Sequence, residues 1–269
     1  MKFESIGVQT ECAVATIALN RAARANALDA TLWRELSAVF DWLDGSEARA
    51  AVLCGAGEHF CAGIDLAFLQ AVQQQVAALP VAERVPSLEA LIRDLQRATG
   101  AAERCRKPVI AAVHGACFGG GVDLIATCDL RFATRDARFS VKEVDLAIVA
   151  DLGSLQRLPR LVGEGMAREL AFTGREFDGE EAVRIGLANE ALADREALME
   201  HAQSVARAIA AKSPATVRGI KAAFNYNHSH TVEEGLEHIA RHNARALFSS
   251  DLYEAMAARQ EKRAPKFKD

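Results

Sequence analysis

Two glycine-rich turns and a set of carboxylates offer the clearest chemistry in this 269-residue chain. "FCAGIDL" (Phe60 to Leu66) and "HGACFGGGVDL" (His114 to Leu124) each follow a strand-like run and precede a helical one. Glycine there permits tight turns and close approach of backbone to a ligand. The first N–H groups of a helix have no intrahelical partner, so two such turns facing each other can hold an anionic oxygen. Plain strand-to-helix turns are the alternative, and either motif alone leaves both readings open. Gly119-Gly120-Gly121 does not make a nucleotide loop, because "GACFGGGVD" lacks both the G-x-G-x-x-G order and a Gly-Lys-Ser/Thr ending.

The acids raise a second question. "KEVDLAIVADLGSLQRL" (Lys142 to Leu158) is rich in Val, Leu, Ile and Ala, yet it contains Glu143, Asp145 and Asp151. Carboxylates taken into an interior need partners or a task. Salt bridges and helix caps are one answer, general acid–base chemistry another. Asp123, just after the glycine run, has the same two readings, since an acid at a helix start also complements the dipole. Asp65 and Asp129 read as caps or turn anchors, and His114 as a residue that orders its turn or packs in the core. His228, His230, His238 and His242 include an i, i+4 pair, but no Cys or H-E-x-x-H motif accompanies them, so no metal is expected.

These residues need a scaffold of alternating elements. "CAVATIAL" (Cys12 to Leu19) reads as a strand, and Asn26 with "ALDATLWRELSAVFDWL" opens a helical pattern through Leu32, Leu36, Phe40 and Leu43. "AAVLCGAG" is the next strand and turn. A helix is predicted from about Ser87 to Arg104, leading into the buried strand "KPVIAAVHG", and "DLRFATRDARFSV" reads as two short strands around a turn. Alternation of this kind favours α/β layering. Past about residue 195 only helical patterns remain, flanking "KSP" (Lys212 to Pro214) and continuing through Val232, Leu236, Ile239 and Leu247. The expected organisation is an α/β core over 1–195 carrying the active site and a helical C-terminal region over 196–269.

Composition limits the partners. Half of the residues are apolar and a quarter charged, with a net charge of -4. That balance gives no basic field for nucleic acid, and no apolar run approaches the roughly 20 residues of a membrane span. The six cysteines form no C-x-x-C pair, and the N-terminal stretch has no secretory or transit character. A reducing, cytoplasmic setting is expected.

The pair "FCAGIDL" and "KPVIAAVHGACFGGGVDL", followed by "CDLRFATRDARFSVKEVDLAIVADLGSLQRLPRLVG", closely resembles the crotonase (enoyl-CoA hydratase/isomerase) superfamily. The likeness runs from "LNRAARANALD" to "EKRAPKF". It implies an α/β, crotonase-like spiral of β-β-α turns with a helical C-terminal trimerisation region, assembled as a homotrimer or homohexamer. It also implies an acyl-CoA thioester as substrate and no separate cofactor, coenzyme A being part of the substrate. By the same resemblance, the thioester oxygen would sit between the backbone N–H groups of Ile64 and Gly120. Ala62, Gly63, Ile64, Asp65 and Leu66 would line the CoA path, with Arg24 against the CoA phosphates and Arg21 close by. "EAMAARQEKRAPKF" departs from the family pattern at Ala255 and Arg259.

The acids then select the reaction. Family hydratases carry two Glu where this chain has Asp123 and Glu143, and a Gly where it has Asp151. Asp123, Glu143 and Asp151 together resemble the dienoyl-CoA isomerase branch, which converts a 3,5-diene to the conjugated 2,4-diene. On that resemblance Glu143 serves C2, Asp151 serves C6 and Asp123 supports them; Asp145 has no such role and is expected to be solvated or capping. Two rivals remain: an enoyl-CoA hydratase, and a non-catalytic acyl-CoA- or RNA-binding protein of the same fold.

Overall fold

A computed structural model describes residues 2–268. The strands are β1 (Ile6–Glu11), β2 (Val14–Leu19), β3 (Ala50–Gly55), β4 (Val109–Val113), β5 (Ala116–Phe118), β6 (Leu130–Thr134), β7 (Arg138–Ser140), β8 (Phe177–Asp178) and β9 (Glu190–Leu192). Helices of the core are α1 (Ala30–Gly45), α2 (Leu66–Ala77), α3 (Val81–Thr99), α4 (Ala101–Arg104), α5 (Gly120–Ala126), α6 (Ser154–Val162), α7 (Glu164–Thr173) and α8 (Gly179–Arg184). Then come α9 (Arg195–Ala210), α10 (Pro214–Asn227), α11 (Val232–Ala246) and α12 (Ser250–Gln260).

The strands divide between a six-stranded sheet, ordered β1-β2-β3-β4-β6-β9, and a three-stranded sheet, ordered β5-β7-β8. From β4 to β7 successive strands alternate between them: β4 and β6 lie in the first, β5 and β7 in the second, with α5 closing one turn. An isolated parallel bridge, Cys61 with Cys117, extends the second layer back to the segment after β3. The result is the β-β-α spiral implied by the resemblance. β3 and β4 are buried at every position, as "AAVLCG" and "VIAAV" require of parallel strands covered on both faces. One face meets α1 through Leu32, Leu36, Val39, Phe40 and Leu43. The other is covered by α9 through Leu198, Ala202, Ala206 and Ala210, so the first C-terminal helix is a wall of the sheet.

Several boundaries differ from the expected ones. The helix expected from Ser87 begins at Val81 and ends at Thr99, with α4 following Gly100. The two strands of "DLRFATRDARFSV" do not pair with each other; β6 and β7 enter different sheets. Cys12 belongs to the β1–β2 turn, at φ +49°. Asn26 lies outside α1, which starts at Ala30 with Asp29 as its cap accepting from Leu32 N at 2.9 Å. Asn26 is instead a buried brace: its Oδ1 accepts from Arg21 N, and its Nδ2 donates to Ala56 O and His59 O.

Candidate active site

Two main-chain bridges build the glycine turns into one wall. Cys61 N donates to Ala116 O and Phe118 N to Cys61 O, both at 2.9 Å, which lays the first turn beside the second. On its other edge, Leu28 N donates to Gly63 O at 2.8 Å and Asp65 N to Leu28 O at 3.1 Å. In a parallel bridge these bonds belong to the neighbours of Ile64, so the N–H of Ile64 points to the opposite edge. Gly120 opens α5, where an N–H has no intrahelical acceptor. Among the described residues neither N–H has a protein acceptor.

The glycines permit this approach. Gly63, at φ +94°, would place a Cβ 3.0 Å from Phe118 O, and Gly119, at φ +49°, would place one 3.1 Å from Glu143 Oε1. Glu143 therefore stands against the turn at Gly119.

Asp123 projects from α5 and is fully buried. Its Oδ1 accepts from both the N–H and the Oγ–H of Ser154, each at 2.6 Å. Asp123 Oδ2 and Glu143 Oε2 are buried with no hydrogen-bond donor among the described residues. Burial pushes Asp123 up to about 6, outweighing the two Ser154 hydrogen bonds, and the Asp151 charge adds to the rise. Glu143 is pushed up to about 7 by burial first, then by the charges of Asp123 and Asp151. Burial and neighbouring negative charge thus favour the protonated form of both carboxyls. Asp151, half-buried, is also raised by burial. It lines an open cavity of about 650 Å³ with Gln96, Arg104, Gln156, Arg157 and Arg160.

The remaining predicted residues separate by their partners. Arg21 bonds Asp29 at 3.1 Å, Asp65 at 3.0 Å and the Ala27 carbonyl, which makes it a structural strut. Asp65 caps α2 by accepting from Ala67 N at 2.9 Å; burial opposes its charge, but the Arg21 hydrogen bond and the capping bond hold its carboxyl below the usual range. Arg24 is exposed on the short helical turn Ala22–Arg24. Ala62 and Leu66 are exposed along the same edge.

Asp145 is exposed and pairs with Lys142 at 3.4 Å. Asp129 accepts from Val109 N at 2.7 Å and pairs with the buried Lys221 at 2.8 Å. His114 bonds Gly57 O through Nε2 at 3.0 Å. His230 and His238 stack on Tyr226. Asn26 was expected only to open a helix, and Ser154 was not singled out. Asn26 carried no signal beyond its type, whereas Ser154, three residues after Asp151 at a helix start, had the pattern of a residue able to bond a neighbouring acid.

A profile of the enoyl-CoA hydratase/isomerase family matches residues 9–269. The chain belongs to that family, the crotonases, and is an enzyme of it. Within the family it is 44% identical over 268 residues to the peroxisomal Delta(3,5)-Delta(2,4)-dienoyl-CoA isomerase of Arabidopsis thaliana, covering 98% of this chain and 96% of the relative. Identity to the mitochondrial Delta(3,5)-Delta(2,4)-dienoyl-CoA isomerase of Mus musculus is 39%, covering 98% and 82%. The crystal structure of an enoyl-CoA hydratase from Bacillus anthracis superposes with a TM-score of 0.89 at 32% identity, covering 98% and 99%.

Proposed function

We propose that this enzyme isomerises a 3,5-dienoyl-CoA to the conjugated 2,4-dienoyl-CoA. The observation that carries the reading is the third acid: Asp151 lines an open cavity in the turn that leads to Ser154, and Ser154 hydrogen-bonds Asp123. Moving a diene along an acyl chain takes one proton from C2 and places one on C6, so it needs proton carriers at two points. Glu143, beside the glycine wall, takes the C2 proton as its carboxylate. The resulting dienolate spreads over the diene and thioester, and its oxygen lies between Ile64 N–H and Gly120 N–H, where fixed donors are worth most. Asp151, in its protonated form, delivers a proton to C6. Exchange with water returns Glu143 and Asp151 to their starting states, leaving substrate and product with the same atoms.

Coenzyme A is placed along Ala62 to Leu66, with Arg24 at its phosphates and Arg21 committed elsewhere. Arg24→Ala is expected to raise KM for the CoA thioester about tenfold, as loss of one charge–phosphate contact does, with kcat unchanged. The matching pantetheine thioester, which lacks those phosphates, should show no change in KM. An equal rise with both substrates removes Arg24 from the site.

A homotrimer or homohexamer belongs to the same proposal, supported by Phe224, Leu236 and Phe248 on α10, α11 and the α11–α12 turn, which are 66%, 62% and 80% exposed. So does a reducing, cytoplasmic setting, which the free state of all six cysteines supports. Among the described residues no helix is long and apolar enough to cross a membrane.

The deciding experiment incubates the purified protein separately with a 3,5-dienoyl-CoA and a 2-enoyl-CoA. Growth of conjugated-diene absorbance with the first is the expected result. Hydration of the second with no diene conjugation makes the enzyme a hydratase, and binding without turnover of either makes it an acyl-CoA-binding protein.

A further inference from the structure

Ser154 gives both of its donors to one oxygen of Asp123, and it is itself fully buried. The second oxygen, Oδ2, is left without a donor among the described residues, as is Glu143 Oε2. Ser154 also lies three residues after Asp151, in a turn held at several points. Gln96 Nε2 donates to Asp151 O at 2.7 Å, and Arg157 N donates to Gly153 O at 3.1 Å. Arg157 pairs with Glu103 at 2.6 Å. Gly153 is held at φ +124°, a backbone conformation that L side chains rarely adopt.

We infer that Ser154 is a positioning residue for proton transfer: it holds Asp123 by Oδ1, leaves Oδ2 for Glu143, and ties that pair to the turn carrying Asp151. The inference rests on the isomerase reading and extends it to how the two proton sites keep their spacing. The groups facing Asp123 are Glu143 from the Lys142–Leu146 turn, Asp151 before α6, Arg157 on α6 and the Cys117 thiol on β5. Burial keeps that thiol neutral. Of these contacts, the Ser154 hydrogen bonds and the Arg157 charge oppose the burial-driven rise of Asp123. Removing the hydroxyl therefore moves Asp123 further up.

The test compares Ser154→Ala, Ser154→Thr and Ser154→Cys with wild type on a 3,5-dienoyl-CoA. It reads kcat and KM across pH, and the infrared titration of the buried carboxyl C=O stretch. Ser154→Ala is expected to lower kcat about tenfold or more with KM nearly unchanged. Its acid-side limb and infrared titration should move up by about one pH unit or more, the size of one hydrogen bond to a charged group. Threonine keeps the hydroxyl and restores the wild-type profile; cysteine, a weak donor, shifts it in the same direction as alanine.

A folded Ser154→Ala protein with wild-type profile and titration overturns the inference, and so does loss of activity with neither shifted. If that variant does not fold, an unshifted Ser154→Cys overturns it equally. Failure of wild type to conjugate the diene counts against the isomerase reading instead, while the infrared titration still decides whether Ser154 governs Asp123.

Discussion

Asp151→Asn is expected to lower kcat for 3,5- to 2,4-dienoyl isomerisation by about 10³, the scale of removing a positioned general acid, with KM within about twofold. Asparagine keeps the shape of the half-buried side chain and, in its main chain, the Gln96 hydrogen bond. What it loses is a transferable proton. Because Glu143 stands beside the glycine wall and is left intact, the variant should still exchange the C2 proton. Incubation in deuterium oxide should therefore label C2 of recovered substrate without forming product. Glu143→Gln should abolish both the exchange and the isomerisation. The pair of labelling results separates the two ends of the transfer, which kcat alone does not. Near-normal turnover by Asp151→Asn, or loss of C2 exchange together with isomerisation, would remove Asp151 from the C6 role.

The second large effect is on stability, and its sign is opposite to that on activity. Glu143 is raised to about 7 in the folded protein, against an ordinary value near 4.5 that applies to the unfolded chain. Below the unfolded value the carboxyl is neutral in both states and the site carries no charge penalty. Between the two values the folded protein keeps a proton that the unfolded chain releases, so stability falls as pH rises. Above about 7 the full cost, roughly 3 kcal/mol for such a shift, is present.

Glu143→Gln removes the titration and leaves a neutral amide that can donate to Asp123 Oδ2. At pH 8 it should be more stable than wild type by about 2–3 kcal/mol in denaturant melts, with the difference shrinking toward zero by about pH 4. Asp123→Asn should behave in the same direction, its amide oxygen still accepting from Ser154. The two gains should not add, because each carboxyl raises the other. An inactive Glu143→Gln variant that is no more stable than wild type at pH 8 would show that the carboxyls are not held in a dry, charge-opposing site. A stability cost of this kind is expected where a site is kept for chemistry rather than for folding.

Much of the molecule was legible before any coordinates, and particular residues show why. The alternation of apolar strands with helical patterns is local information, so the α/β class and the helical C-terminal stretch follow from periodicity. The glycine turns could be read as possible anion-holding turns because few residues other than glycine serve such backbone. Asp123, Glu143 and Asp151 stood out as acids in or beside apolar runs, and the motif around them pointed to one branch of one family.

Other features depended on partners distant in sequence. That β6 and β7 separate into two sheets depends on pairing with β4 and β5, which no local pattern encodes. That Arg21 is a structural strut depends on Asp29 and Asp65 meeting it in the folded chain. The N–H groups of Ile64 and Gly120 are main-chain groups that every residue but proline carries, and only the bridges Leu28–Ile64 and Cys61–Cys117 bring their two turns together. The raised carboxyls belong to the tertiary structure for the same reason: residue type supplies the acid, but burial and the approach of a second charge favour its protonated form.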